Sequence, residues 1–550
     1  MKLTDFSPST VLALAIVAGA LWFMRQDSQG RGFASGRAWD RSRLAPGARR
    51  ERGEGRRGRL PGSGPGRPDG AVRTRPPWQV TGPAVAPGRR ARRQAGLLSR
   101  LAQVAFRRPT AGEATWGDVR DARHLLVPGP VRGRICLGTM KNRLVAAERG
   151  HSLLVIGPTQ CGKTSGLAIP SILEWDGPVL AASVKSDLAA ATIGGRSKRG
   201  RVGIYDPTGG SGLGALGFED AVCGWSPLAT SAAWGGARRM AGMLTDAARA
   251  RASGIEDAEF WYRAAAKLMA PLLLAAAVSG RTMGDVVRWL DTQEINEVAG
   301  LLDTAGEGEA LLAAEAVWRK EERQLSSIYS TAEIVLEPFG DPDIAASEEL
   351  ARDRRIMVPE ELAEGGTLYL CAPAHGQRRA MLATTVLVTQ ILEGAYERSL
   401  RQGGPLDPPL LVVIDEAANV APVVDLDSLA STAASHGIQL VTVWQDLAQL
   451  NARYGYRASS VANNHRAKLF FSGISDPPTL ELASQLAGDT VVDLSSDTFD
   501  GSGHASSTRS PSFRRLLAAD ALRRMPPGWA TLIYAHLPPL PIRLRSGPGS

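Results

Sequence analysis

At 550 residues the chain exceeds the size at which a single hydrophobic core stops growing, which excludes one simple domain. Apolar residues, at 44%, suffice for a large core, and the four cysteines (Cys136, Cys161, Cys223, Cys371) have no metal-ligand spacing and fit a reduced, cytosolic setting. The net charge of +9 suggests a nucleic-acid binder until it is located: residues 25–108 hold 21 Arg, no Lys and five acids, a net +16, which leaves residues 109–550 at −7.

In chain order, the first element is the uncharged apolar run Thr10–Met24 (TVLALAIVAGALWFM). The run is shorter than the roughly 20 residues a bilayer core needs, but extended back over the uncharged residues before it, it comes close enough to span and predicts a transmembrane helix over about residues 9–24. A cleaved signal peptide fits less well, because the residues ahead of the run are acidic as well as basic and no small-x-small cleavage pattern follows Met24. The arginines lie on its C-terminal side, so the positive-inside rule predicts a single-pass protein with its bulk in the cytoplasm. Residues 25–108 are rich in Arg, Gly and Pro with almost no apolar periodicity, the composition of a disordered linker. Two roles stay open for it: a tether near anionic lipid, or a nucleic-acid-binding arm.

Leu153–Ile156 is a short buried strand, followed by Gly157-Pro158-Thr159-Gln160-Cys161-Gly162-Lys163-Thr164-Ser165 and then a helical apolar pattern. This is G-x-x-x-x-G-K-[ST] in its proper strand–loop–helix context. Backbone N–H groups of such a loop turn inward around phosphates at a helix N-terminus. Lys163 can reach the β- and γ-phosphates of ATP, and the Thr164 hydroxyl can ligate Mg2+. A second continuous apolar strand, Pro409–Ile414, ends at Asp415-Glu416. There Asp415 is placed to hold the metal and Glu416 to act as general base on the attacking water. A third strand, Ile438–Val443, ends at Trp444-Gln445, whose amide can sense the γ-phosphate or orient the water. The residues thus predict an ATP-hydrolysing P-loop motor.

With these strands in place, residues 130–545 resemble the conjugative coupling proteins of type IV secretion systems, the TraG/TraD-type ATPases. The resemblance rests on Gly177–Thr192 (GPVLAASVKSDLAAAT), Gly203–Gly209 (GIYDPTG), Trp225-Ser-Pro-Leu, Asp257–Ala275, Arg323–Ile334, Thr367–Pro373 (TLYLCAP), Val413–Val423 (VIDEAANVAPV), Gly437–Gly455 and Asn463–Gly473 (NNHRAKLFFSG). It implies a RecA-like, doubly wound, mostly parallel α/β sheet with an inserted all-helical domain. It also implies a homo-hexameric ring with ATP at subunit junctions, single-stranded DNA delivered with a relaxase complex, and docking to membrane-embedded channel components. Two departures stand out. Ser183-Val184 replaces the usual Asp-Pro, and Ser431–His436 lacks the basic residue that relatives use as a trans-acting arginine finger. His436, Arg453, Arg457 and Arg466 are its candidate substitutes.

The strand signal fades from about 235 to 345 in favour of helical periodicity. The chain therefore reads as a motor domain over 109–234 and 346–550 split by a helical insertion over 235–345. The Ser/Gly-rich tract 495–512 predicts a mobile loop. The predicted function is a DNA-delivering ATPase at a bacterial cell membrane. The alternatives are a motor of the same fold with protein cargo, a double-stranded DNA translocase, or a nucleotide-binding docking platform without turnover.

Overall fold

The short apolar runs of the sequence become strands buried on both faces. Leu153 and Val155 pack into the core on one side of the sheet, and Leu154 and Ile156 into the core on the other. The computed structural model describes residues 113–545 apart from 215–216, 250–257, 358, 373–375 and 500–504. The predicted membrane helix and the Arg-rich segment lie outside the described residues. In chain order the strands are β1 (Leu126–Val127), β2 (Cys136–Met140), β3 (Arg143–Ala146), β4 (Leu153–Ile156), β5 (Val179–Ser183), β6 (Val202–Tyr205) and β7 (Val222–Cys223). After a long helical stretch come β8 (Thr367–Cys371), β9 (Leu410–Ile414), β10 (Ile438–Trp444) and β11 (Ala467–Phe471). The last are β12 (Asp489–Phe499), β13 (Ala505–Arg515), β14 (Trp529–Tyr534) and β15 (Leu540–Arg543).

Among the described residues, 13 of these strands form one sheet in the order β1-β3-β2-β15-β14-β11-β4-β10-β9-β5-β8-β6-β7. From β11 to β7 every neighbouring pair is parallel. From β14 to β1 every pair is antiparallel, so strands from both ends of the described chain extend one edge of the parallel sheet. Crossover helices flank the parallel part, which is the arrangement of an α/β sheet.

Between β7 and β8 the described chain is helical apart from short connections. The principal helices there are Trp234–Arg249, Ala258–Ser279, Met283–Asp291, Asn296–Thr304, Gly308–Trp318, Glu322–Leu336 and Pro342–Asp353. Helix Ala258–Ser279 is long and apolar enough to cross a membrane by length and composition alone, yet 61% of that window is buried. Tyr262, Leu268, Met269, Leu272 and Leu273 form part of a protein core, so it is the central helix of this bundle.

The tract 495–512 differs from its sequence reading. Most of it belongs to a hairpin in which β12 and β13 pair from Asp489↔Arg515 to Phe499↔Ala505. Ser495, Ser496, Ser507, Thr508 and Ser510 are exposed on this two-stranded ribbon, where no apolar alternation is required, so composition alone looks like a loop.

Candidate nucleotide site

β4, β10 and β9 are adjacent and parallel, and their carboxyl ends carry the three motifs. The register places Ile156 opposite Trp444, so the phosphate loop and Gln445 leave neighbouring strands at the same level. Ligands of open α/β sheets bind outside this edge.

The loop is built around its glycines. The Gly157 N–H donates to the Trp444 carbonyl at 3.1 Å, fastening the loop to the end of β10. A Cβ at Gly157 would fall 2.7 Å from Phe471 Cβ and 2.9 Å from Cys161 Sγ, so no larger residue fits. Gln160 and Gly162 have φ of +61° and +90°, the left-handed bends that curl the loop. The chain then enters a π-helical turn, Thr164–Ala168, that continues as the helix Ile169–Glu174. Lys163 is buried, and its ammonium donates to the Gly157 carbonyl and, at 2.6 Å, to the Pro158 carbonyl. It therefore sits inside the loop as the cation around which the loop closes.

Asp415 is 5% exposed, and Thr164 donates its hydroxyl proton to Asp415 Oδ2 at 2.8 Å. The Asp415 N–H is held by the Ala182 carbonyl of β5 at 2.8 Å, which fixes the carboxylate against the loop. Burial raises the Asp415 carboxyl above the usual carboxylate range, whereas the Thr164 bond opposes the rise; Glu416 raises it further and Lys163 lowers it. Glu416 has φ of +60°, a conformation that costs about 1–2 kcal/mol for a residue with a side chain. The next N–H, of Ala417, donates to the Val443 carbonyl at 3.0 Å and keeps the turn in place. Glu416 is half-buried, on the chain between the metal candidate and β10.

Gln445 is half-buried, and its N–H donates to Gln449 Oε1 at 3.0 Å. Asp446 caps the helix Leu447–Tyr454 by accepting from the Gln449 N–H at 2.8 Å. Lys163, Thr164, Asp415, Glu416 and Gln445 thus come together at the ends of three neighbouring strands.

Other features escaped sequence reading. The C-terminal end of the fold forms a wall of the site: a Cβ on Gly166 would meet Leu544 Cβ at 3.2 Å and the Arg545 carbonyl at 3.3 Å. Arg545 also pairs with Glu174, at the far end of the phosphate-loop helix. Ser183, in place of the family's aspartate, is buried and accepts the Lys185 N–H at 3.2 Å. Asp187, which opens the next helix, lies close enough for its charge to add to the rise of the Asp415 pKa.

The four candidates for the trans-acting cation have different fates. Arg457 is committed to its own chain, paired with Asp425 at 2.8 Å and with Asp427. The His436 ring packs against Tyr396, with centroids 4.3 Å apart, and its Nδ1 lies 3.0 Å from Ser399 Oγ. Arg453 is on the helix that follows Gln445, and its charge lowers the Tyr454 phenol pKa against a larger rise from burial. Arg466 is exposed just ahead of β11, at the edge of the sheet opposite the phosphate loop.

The fold and the site together define a P-loop nucleotide-binding α/β protein with a helical insertion. Residues 127–544 match the family model described as type IV secretory system conjugative DNA transfer, and the chain belongs to that family. It is similar to the conjugal transfer protein TraG of Escherichia coli, 25% identical over 412 residues, covering 68% of this chain and 61% of the relative. It is also similar to the protein VirD4 of Rhizobium rhizogenes, 37% identical over 113 residues, which are 19% of this chain and 16% of that protein. The chain therefore spans about three fifths of the TraG relative. Among solved structures, the plasmid coupling protein TrwB in complex with ADP and Mg2+ superposes with a TM-score of 0.60 at 17% identity, covering 81% of this chain and 95% of that one. The unbound monoclinic form of TrwB gives a TM-score of 0.59 at 18% identity over 80% of this chain and 94% of that one. At these identities the likeness establishes the fold.

Proposed function

We propose that this chain is an ATPase that couples hydrolysis to DNA delivery through a type IV secretion channel. The observation that carries the reading is the meeting of Lys163 and the Thr164–Asp415 pair with Glu416 at one sheet edge, in a chain of the conjugative DNA transfer family. Thr164 and Asp415 offer hard oxygen donors, which suit Mg2+ completed by phosphate oxygens and water. Among the described residues no group of three or more His, Cys, Asp or Glu could hold a metal by itself. Bound there by Thr164 and Asp415, Mg2+ would neutralise phosphate charge. The TrwB complexes with ADP and Mg2+, or with a non-hydrolysable ATP analogue, support the same pair of ligands here.

The residues divide the work. Loop N–H groups from Gly157 to Ser165 hold the phosphates. Lys163 exchanges the Gly157 and Pro158 carbonyls for phosphate oxygens and steadies the charge that develops as the γ-phosphoryl leaves. Glu416 takes a proton from the attacking water, and Gln445 orients that water. In this reading the protein works as a homo-hexameric ring with ATP at subunit junctions and single-stranded DNA supplied by a relaxase complex. Residues 9–24 anchor it to the bacterial membrane as a single pass, near channel components. The bulk lies in the cytoplasm and the Arg-rich linker lies against anionic lipid. Plasmid transfer by a donor strain lacking the gene tests this: wild type restores transfer and Glu416→Gln does not. Restoration by Glu416→Gln would refute it.

A further inference from the structure

At the sheet edge opposite the phosphate loop lies a cavity of about 730 Å³. The strand register explains its composition. Arg466 and Lys468 are two residues apart at the start of β11 and share one face. The pairings Lys468↔Leu154 and Lys468↔Ile533 bring Ser152 on one side, and Ile533 and Ala535 on the other, onto that same face. Asn463 and Asn464, at the end of the helix Ala458–Asn464, join His151, Ser431 and His536 around the rim.

Five properties of this cavity bear on what it takes. Its lining contains Arg466, Lys468 and two histidines and no carboxylate, although residues 109–550 as a whole are net −7. Behind the lining, Glu148 accepts from Tyr534 Oη at 3.3 Å and lies 3.4 Å from His151. The Arg466 guanidinium has no hydrogen-bond or ion-pair partner among the described residues and is exposed. The Lys468 ammonium rests on the His465 carbonyl at 2.7 Å, and burial holds its pKa down to about 8, which an anion beside it would reverse. Ser152 is 4% exposed, and its hydroxyl has no partner among the described residues. No Phe, Tyr or Trp lines the cavity, so it offers no platform on which bases could stack.

We propose that this cavity is a phosphate-backbone subsite for single-stranded nucleic acid, separate from the nucleotide site and indifferent to base sequence. Unpaired cations, amides and a free hydroxyl suit phosphodiester oxygens, and the absence of aromatic rings assigns the contact to the backbone rather than the bases. The proposal rests on the DNA-delivering reading above and names the surface that grips the cargo. Other occupants of the same chemistry, such as inorganic phosphate or an acidic side chain from a second copy, are outcomes of the test.

The test uses the full-length protein in detergent and a fluorescein-labelled oligo-dT, with affinity measured by anisotropy at several salt concentrations. Arg466→Gln should weaken binding by roughly threefold to tenfold at low salt and reduce the log–log salt slope by about 0.7, the value for one lost contact to a single strand. Asn463→Glu, which adds a carboxylate at an exposed rim position without removing packing, should weaken it at least as much, with an unchanged thermal melt. An oligonucleotide with a neutral methylphosphonate backbone should not bind the wild type, and inorganic phosphate alone should not displace oligo-dT at low millimolar concentration. Equal affinity and slope in wild type and both variants would overturn the subsite while leaving the functional reading intact. So would a change confined to subunit assembly, or displacement by inorganic phosphate. A wild-type protein that binds no oligonucleotide would overturn both.

Discussion

Lys163→Ala separates the part of the phosphate loop that folds the protein from the part that works. In the free protein the ammonium bonds to the Gly157 and Pro158 carbonyls from a side chain 8% exposed. Removing it leaves those loop carbonyls short of one donor. Pro158 is half-buried and Thr159 and Gln160 are exposed, so water can replace much of that interaction. The stability loss should therefore stay at about 2 kcal/mol, roughly 1 kcal/mol for each of the two hydrogen bonds. The transition state is affected differently. There the lost cation faces charge developing in a water-poor cleft, where removal of one stabilising group lowers turnover by about 10²–10³, or roughly 3–4 kcal/mol. Phosphate release by purified full-length protein gives the rate, and a fluorescent ATP analogue gives the affinity. ATP should lose more affinity than ADP, since the role proposed for Lys163 serves the γ- as well as the β-phosphate. Turnover within threefold of wild type, in protein that melts normally, would refute the assignment.

Three further outcomes follow from the geometry. Glu416→Gln should retain ATP binding while turnover falls at least a hundredfold, checked by equilibrium binding beside phosphate release; unimpaired turnover would remove Glu416 as the base. His465 is wholly buried between Thr442 and the Val461 carbonyl, and desolvation lowers its pKa to about 4. The unfolded chain binds that proton near pH 6.5 and the folded chain does not, so stability should be full above pH 6.5 and fall by roughly 3 kcal/mol as pH drops towards 4; a His465→Gln melt should show a flatter acid limb. Deleting residues 1–24 should release the protein from membranes, and replacing the arginines of 25–108 by Gln should weaken binding to anionic vesicles at low salt but leave ATP turnover unchanged. Loss of DNA-stimulated turnover in that second variant would instead make the segment a DNA-gripping arm.

The central part of the fold was legible because its code is local. The run LLVI before Gly157 and the run LLVVI before Asp415 are continuous apolar stretches too short for helices and bounded by Gly or Pro and acids, which marks them as strands buried on both faces. The acids at the end of the second run point to the edge where the phosphate loop emerges, and the Thr164–Asp415 bond joins residues 251 positions apart. What was illegible depends on register between distant segments. Nothing in Leu540–Arg543 announces that β15 pairs with β2, closing an antiparallel edge from both ends of the described chain. The wall formed by Leu544 and Arg545 is hidden for the same reason. Arginines are mostly exposed, yet Arg196 is fully buried and donates to the carbonyls of Trp175 and Gly177 and to Thr367 Oγ1. The hairpin of β12 and β13 was illegible because exposed Ser and Thr pairs leave no hydrophobic period.

ATP hydrolysis by the purified full-length protein, measured with and without single-stranded DNA, tests the central claim most directly. The account predicts Mg2+-dependent turnover that rises several-fold with oligo-dT, falls at least about a hundredfold in Lys163→Ala and follows the same salt dependence as DNA binding. Turnover that ignores DNA at every salt concentration, or that rises only with a protein cargo, would contradict it.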